Sequence, residues 1–244
     1  MKMNKLIEKL EQEAVLPKGP EERFMGYGVI GVTFSSGNVL ALRHYPASSI
    51  GPGYSSVWHR NQMGMWDFYT DVEPHQSCTR YYGRAVANVT VTPIHIHWKG
   101  AKSFEVNVES PELEWSVNIK NTAATSFLDF ICDLLPRQAW KSRKMLEMLE
   151  KVAIDMLKIG EIKLTGRTPN GQQFMAIPRH IRIVDKSEAV FEGNGLGSLA
   201  PLPRQAHVGH FCIPQKGLFM VGHAFFEPFN PNIHQLVTHI QTEI

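Results

Sequence analysis

The sequence of 244 residues is long enough for one large domain or two small ones. Hydrophobic residues make up 43% of the chain and charged residues 20%, a composition that excludes a largely disordered protein. Lysine and arginine number 25 against 23 acidic residues, and this net charge of +2 gives no electrostatic reason to expect nucleic-acid binding.

The predicted elements begin with a short amphipathic helix and link in residues 1–22, where apolar residues recur at helical spacing from Leu6 to Ala14. Residues 23–120 then contain segments of strand character at the regular spacing of an antiparallel meander. The predicted strands are 27–34, 39–45, 54–60, 66–72, 86–98, 104–108 and 113–119, with hairpin turns at 35–38 and 61–64.

The hydrophobic period changes in residues 123–160, which we predict to be a helical insertion. Apolar residues in 127–135 and in 145–157 fall on one face of each of two helices, and we expect both stripes to pack on the sheet. Ser126 and Asp129 have the spacing of an N-terminal capping pair.

A second strand set is predicted in residues 161–227, with the clearest hairpin turn of the sequence at Thr168–Gly171. Residues 228–244 are expected to end in a short helix. Because no linker separates the two strand sets, a single domain over residues 1–244 is favoured over two. The predicted fold class is mainly β with an α insertion (α+β), an antiparallel meander that forms a barrel or half-barrel with two central helices packed on it.

The cysteines and the N-terminus bear on location. Cys78, Cys132 and Cys212 are far apart, odd in number and without the short spacings of a zinc site, as expected of reduced thiols. The first thirteen residues are charged throughout, and no apolar run approaches the length of a membrane span. We therefore expect a cytoplasmic protein that is not integral to a membrane.

Two motifs suggest a cofactor or a metal. Gly26–Gly31 spells the dinucleotide-binding pattern, but β-prone residues follow it instead of a helix, so we interpret these glycines as part of a bent or closely packed strand. His95 and His97 share a strand face, and with later histidines could form a cupin-type metal site. No glutamate stands three or four residues after His97. We expect neither a metal nor another cofactor.

Residues 51–82 are the strongest candidate site, because they gather many large amphipathic side chains. Alternation places Asp71 and Tyr69 on one face of their strand, opposite His59 on the partner strand. An acid, a phenol and an imidazole can form a proton-transfer set, so we predict these three residues to be catalytic. The side chains expected to bind the substrate are Trp58, Tyr54, Trp66 and Tyr82. The alternative is that Asp71 and Tyr69 face water while the aromatic residues fill the core.

The segments Ser55–Arg60, Trp66–Tyr69 and Gly166–Gly171 resemble bacterial proteins to which no function is assigned. In its strand pattern the chain also resembles the lipocalin-like (calycin) superfamily that includes carotenoid 1,2-hydratases. That resemblance implies a mostly apolar barrel in which acids and tyrosines protonate or orient lipophilic substrates. It carries no catalytic residue over to this sequence.

These observations predict a protein that binds a small lipophilic molecule in a barrel pocket. If it is an enzyme, the expected reaction is cofactor-independent acid–base chemistry such as hydration, isomerisation or cyclisation. A non-catalytic ligand-binding protein is the first alternative, and a metal-dependent cupin-like enzyme is the second.

Overall fold

A computed structural model describes residues 3–136, 140 and 142–235 of the chain. Its α-helices in these ranges are α1 (Met3–Glu13), α2 (Thr79–Tyr82), α3 (Ala123–Leu134) and α4 (Arg143–Leu157). The strands up to the helical insertion are β1 (Glu22–Thr33), β2 (Val39–Ser48), β3 (Tyr54–Arg60), β4 (Trp66–Thr70), β5 (Asn88–Val91), β6 (Ile94–Gly100), β7 (Ser103–Val108) and β8 (Leu113–Lys120). Those after it are β9 (Thr165–Arg167), β10 (Gln173–Phe191), β11 (Asn194–Gly195), β12 (His207–Val208), β13 (Phe211–Cys212) and β14 (Leu218–Phe226). No helix in the described ranges has the length and apolar character needed to cross a membrane.

The main sheet runs in the order β5-β4-β3-β2-β1-β14-β10-β8-β7-β6. Its two edge strands, β5 and β6, follow one another in the sequence and are joined by Thr92 and Pro93 alone. The Cα atoms of Val91 and Ile94 can therefore be at most about 11 Å apart. The two edges must approach each other at this link, and the sheet curls into a half-barrel. The predicted fold class, mainly β with an α insertion, is confirmed. The sheet is mixed and not wholly antiparallel, since β4 and β5 run parallel.

Strand β10 is one continuous strand where the sequence pattern predicts three, at residues 172–177, 180–185 and 189–192. Its ladder shifts register between Pro178 and His180 and again between Val184 and Lys186. These irregularities are bulges that bend the strand without ending it. The first half of β10 pairs with β14 and the second half with β8, so one bent strand joins the two parts of the sheet.

The sheet buries a hydrophobic cluster on each of its faces. Tyr54 and Trp58 of β3 belong to the cluster on the face covered by α2 and α4, which we call the α2/α4 face. Val57, between them, belongs to the cluster on the opposite face, where Leu10 of α1 packs, which we call the α1 face. Side chains alternate between the two faces along a strand, and both faces of β3 are buried.

Helix α3 begins earlier than predicted. The Thr122 side chain caps it by accepting from the Thr125 amide at 3.1 Å, and the Thr125 hydroxyl accepts from the Thr122 amide in return. The Ser126–Asp129 pair is therefore not the cap. Asp129 instead accepts hydrogen bonds from the Ile181 amide at 2.8 Å and from Arg182 at 2.7 Å, which ties α3 to β10.

The expectation that the whole apolar stripe of α3 packs inward is wrong for three of its residues. Phe127, Phe130 and Leu134 are 48%, 57% and 65% exposed, whereas Leu128 and Cys132 are buried. The apolar residues of α3 occupy a wider arc of the helix than the side that contacts β10. The hydrogen bonds of Asp129 determine which side of the helix faces the strand. The predicted C-terminal helix lies mostly outside the described residues, and the single-domain organisation stays a prediction.

The apolar stripe of α4 packs inward in part: Leu149 is buried, whereas Met148 and Met156, which were expected to pack on the sheet, are exposed. Leu149 belongs to a third hydrophobic cluster, which α3, α4 and β10 form and which has fewer described residues than the other two. We expect Leu149→Ala to lower the free energy of unfolding by about 2–3 kcal/mol, the lower part of the usual range, because this cluster is small. Equilibrium unfolding in urea would measure this. Met148→Ala is the matched control, since Met148 is largely exposed and its loss should change stability by about 0.5 kcal/mol or less. Equal effects of the two substitutions would contradict the observed packing of α4.

Candidate ligand cavity

A cavity of about 110 Å³ lies on the α2/α4 face of the sheet. Gly26 and Gly28 of β1 contribute to its wall. A Cβ at Gly26 would come within 2.0 Å of the His44 carbonyl oxygen, and one at Gly28 within 2.3 Å of the Leu42 carbonyl oxygen. Strands β1 and β2 thus approach too closely for any side chain at these two positions. This agrees with the interpretation of the glycine pattern as part of a closely packed strand.

Aromatic side chains form much of the cavity wall. The Trp58 ring lies 5.0 Å from the Tyr82 ring, and the Tyr82 ring lies 5.7 Å from the Phe211 ring, measured between centroids. Tyr45 and Tyr54 are adjacent at 5.6 Å. These residues come from β2, β3, α2 and β13, so the wall forms only when distant parts of the chain meet.

A guanidinium group projects into this aromatic environment. The Arg43 Cζ atom lies 5.2 Å from the centre of the Trp58 ring and 6.0 Å from that of Phe211. Across residues 3–136, 140 and 142–235, the arginines in ion pairs are Arg80, Arg143 and Arg182, and no acceptor pairs with Arg43. Arg43 is thus a half-buried cation whose neighbours are π-faces rather than a carboxylate.

The thiol and the three phenols described next are protonated at neutral pH, whereas burial lowers the pKa of His223, which also lines the cavity. Burial raises the pKa of the Cys78 thiol to about 11, although a contact of 3.2 Å with the Tyr54 hydroxyl and the charge of Arg43 oppose the shift. Burial likewise raises the pKa values of Tyr45, Tyr54 and Tyr82 above the ordinary range of tyrosine. Cys78 is therefore not a ready nucleophile, and the phenols can donate hydrogen bonds.

The residues predicted to bind substrate lie on this side of the sheet. Trp58, Tyr54 and Tyr82 line the cavity. Trp66 does not line it, but is buried in the same cluster and donates from Nε1 to the His207 carbonyl oxygen at 2.8 Å. That bond holds the turn of chain that carries Phe211.

The residues predicted to be catalytic do not line this cavity. His59 and Tyr69 lie on the α1 face, where both rings pack on Phe191 at 4.5 and 6.5 Å. Burial lowers the pKa of His59, and its Nε2 lies 2.7 Å from the Asn38 Oδ1 atom. Asp71 follows the end of β4, is exposed and accepts from the Ser55 amide at 2.8 Å. The structure thus brings His59 and Tyr69 together and leaves Asp71 apart, and their catalytic role stays a prediction.

Arg43, Cys78 and Phe211 are cavity residues that sequence reasoning missed. Arg43 did carry a signal: it follows Val39 and Ala41 on one face of β2, where a charge interrupts an apolar stripe. Cys78 and Phe211 carried none, because each reaches the cavity from a segment outside the main sheet.

Histidines do not assemble into a metal centre in the part of the chain that the structure describes, where no three metal-ligating side chains of His, Cys, Asp or Glu meet. His95 lies on the edge strand β6 and pairs with Glu109 at 3.1 Å. His223 is on β14 and lines the cavity.

Comparisons with known proteins complete the description. No family model matches the chain. No curated protein matches it either. Among solved structures, it is similar to acetoacetate decarboxylase from Legionella pneumophila, with 9% identity and a TM-score of 0.40, over 96% of this chain and 95% of that one. A likeness at this level assigns no activity to the chain.

Proposed function

We propose that this protein binds a small, mostly apolar carboxylic acid, as its anion, in the cavity beside Arg43. The observation that carries the proposal is the guanidinium group without an acidic partner among the described residues. A charge removed from water is costly unless a counter-charge meets it. A carboxylate supplies two acceptor oxygens that match the paired N–H donors of arginine.

The surroundings of Arg43 favour the same class of ligand. The hydroxyls of Tyr45 and Tyr82 make no hydrogen bond to any described residue, and both are protonated donors. The rest of the wall is apolar and includes Ile30, Phe174, Ala176, Leu218 and Met220. One end of the ligand would therefore be an anionic acceptor and the remainder hydrocarbon.

The cavity volume limits ligand size. About 110 Å³ is less than the roughly 150 Å³ of an apolar protein cavity that admits benzene. The cavity therefore suits an acid of about three or four carbons, which is no larger than benzene. A carotenoid-sized substrate, as in the hydratases of the lipocalin-like superfamily, is far too large for it.

Binding alone, without a reaction, is what we propose. Tyr45, Tyr54, Tyr82 and Cys78 are protonated at neutral pH and can donate a proton or a hydrogen bond. His223 also lines the cavity, and burial lowers the pKa of its imidazole, which is therefore neutral and able to accept a proton. Acid catalysis by a phenol is the second candidate, which the Tyr54–Cys78 contact favours. A cytoplasmic location accords with the three free thiols.

The test is a titration with straight-chain acids from acetate to decanoate, each beside its uncharged amide, followed by thermal shift and calorimetry. We expect propionate and butyrate to bind most tightly and the amides to bind weakly. Arg43→Met keeps an apolar side chain but loses the charge, and should weaken binding roughly 10- to 100-fold, as loss of a charged hydrogen bond does.

Arg167→Met is the matched control, because Arg167 is an exposed residue of β9 away from the cavity. It should leave the affinity unchanged. Acids and amides that bind equally well, or full affinity in Arg43→Met, would refute the carboxylate proposal.

A further inference from the structure

One wall of the cavity is not held by the sheet. Between β4 and β5 the chain forms α2, flanked by single turns of 3-10 helix at Pro74–Gln76 and Gly83–Ala85. A helix of one turn is not stable by itself. The position of this segment, and of the cavity residues Cys78 and Tyr82 within it, must therefore depend on side-chain contacts made elsewhere along it.

Those contacts lie on the side of α2 away from the cavity. Cys78 and Tyr82 are four residues apart, so they share one side of the turn. Arg80 and Tyr81 lie between them and reach Glu22 at the start of β1. The Arg80 Nη2 and Nε atoms donate to the Glu22 carboxylate at 2.7 and 3.2 Å, and the Tyr81 hydroxyl donates to it at 2.7 Å.

The same carboxylate also fixes a third segment. Gln172 Nε2, just before β10, donates to Glu22 Oε2 at 3.0 Å. The Glu22 and Arg80 side chains are only 13% and 16% exposed, so this is not a surface ion pair screened by water. The Tyr81 ring stacks on Phe226 at 3.7 Å beside the pair. Glu22 thus joins β1, α2 and the start of β10 through one group.

We infer that Glu22 is a positioning residue for the cavity. Its bonds to Arg80 and Tyr81, which we call the clamp, hold α2 in the position where Cys78 and Tyr82 form part of the cavity wall. The effect of the clamp on a ligand rests on the proposed function, but the clamp itself does not. The two N–H groups of Arg80 donate to both oxygens of the Glu22 carboxylate. A glutamine at position 22 has one oxygen, and its NH₂ group would face another donor in place of the second oxygen. Glu22→Gln therefore opens the clamp while it keeps the shape of the side chain.

Alkylation of cysteines tests this without any ligand. The reagent is iodoacetamide under native conditions, and mass spectrometry of peptides reads Cys78, Cys132 and Cys212 in one sample, all three buried in the native protein. We expect Glu22→Gln to speed alkylation of Cys78 at least 10-fold while Cys132 stays as slow as in the wild type. Parallel acceleration at all three cysteines, which would indicate a general loss of stability, or no change at Cys78, would overturn the clamp.

Glu11→Gln is the matched control. Glu11 holds α1 to the opposite face of the sheet, through bonds of 3.0 Å to Tyr27 and to His44. It should leave Cys78 protected. If Glu22→Gln does not fold, Tyr81→Phe decides the question, because it removes one donor to Glu22 and should produce a smaller but still selective rise at Cys78.

Calorimetry with butyrate separates the clamp from the proposed function. If Glu22→Gln exposes Cys78 selectively but the wild type binds no butyrate, the clamp stands and the carboxylate proposal fails. If the wild type binds butyrate and Glu22→Gln changes neither the affinity nor Cys78, the clamp fails and the carboxylate proposal stands.

Discussion

Trp58→Ala is expected to lower the free energy of unfolding by about 3–5 kcal/mol, the range for truncation of a large buried aromatic residue. Trp58 is 1% exposed and stacks on Phe68, with ring centroids 4.4 Å apart and planes 12° from parallel. The deleted indole would leave a void that a strand position cannot collapse to fill. Guanidinium-induced unfolding, followed by far-ultraviolet circular dichroism, would measure the loss.

A second consequence of Trp58→Ala concerns the ligand. Because Trp58 lines the cavity, the space left by its indole ring would enlarge the cavity. The length of the acid that binds best should therefore increase. Trp58→Phe is the control, since it keeps a ring against Phe68 and should cost less than half as much stability. A loss below about 1 kcal/mol for Trp58→Ala would contradict its place in the core.

Asn170→Ala is expected to cost about 3–4 kcal/mol, although the substitution falls in a turn. The Asn170 Oδ1 atom accepts from the Thr168 hydroxyl at 2.7 Å and from the Gln172 amide at 3.0 Å. Its Nδ2 atom donates to the Arg80 carbonyl oxygen at 3.0 Å and to Gln172 Oε1 at 2.7 Å. Thr168, Asn170 and Gln172 are buried, so their polar groups cannot turn to water when the Asn170 side chain is removed. Each buried polar group left without a partner costs about 1–3 kcal/mol.

Two further substitutions make the Asn170 prediction specific. Asn170→Asp keeps the Oδ1 contacts but buries a charge and turns a carboxylate oxygen toward the Arg80 carbonyl oxygen and Gln172 Oε1, so its cost should equal or exceed that of Asn170→Ala. Asn194→Ala removes an exposed asparagine of the β11 turn, which bonds only the Glu192 carbonyl oxygen, and should change stability by about 0.5 kcal/mol or less. Denaturation midpoints that fail to rank in this order would show that the Asn170 network is not what holds the turn.

The turn at Thr168–Gly171 illustrates how far the sequence alone reaches. Its residue types predict a hairpin, and the structure has one there, between β9 and β10. That the turn is buried could not be predicted, because Asn170 contacts α2 across a separation of 90 residues. The residue types of the turn determine its conformation, and its contacts with α2 determine how much it contributes to the free energy of unfolding.

The candidate site shows a second limit of sequence reasoning. Alternation along β3 groups Tyr54 with Trp58 on one face and Val57 on the other, and the structure buries them in two clusters accordingly. It did not identify the face that carries the cavity, because both faces of β3 and β4 are covered and each face of these strands carries polar and apolar residues together. An exposed face would have revealed itself by polar residues, whereas a strand buried on both sides offers no such contrast.

The close approach of β1 and β2 at Gly26 and Gly28 restricts how ligand preference can be altered. Any side chain there would collide with backbone, and backbone cannot change rotamer to make room. Gly26 and Gly28 therefore cannot be replaced to change the cavity. The depth of the cavity on that side is determined by the backbone of β1 and β2. Redesign for larger or smaller acids has to act on movable side chains across the cavity, such as Met220, Phe174 and Phe211.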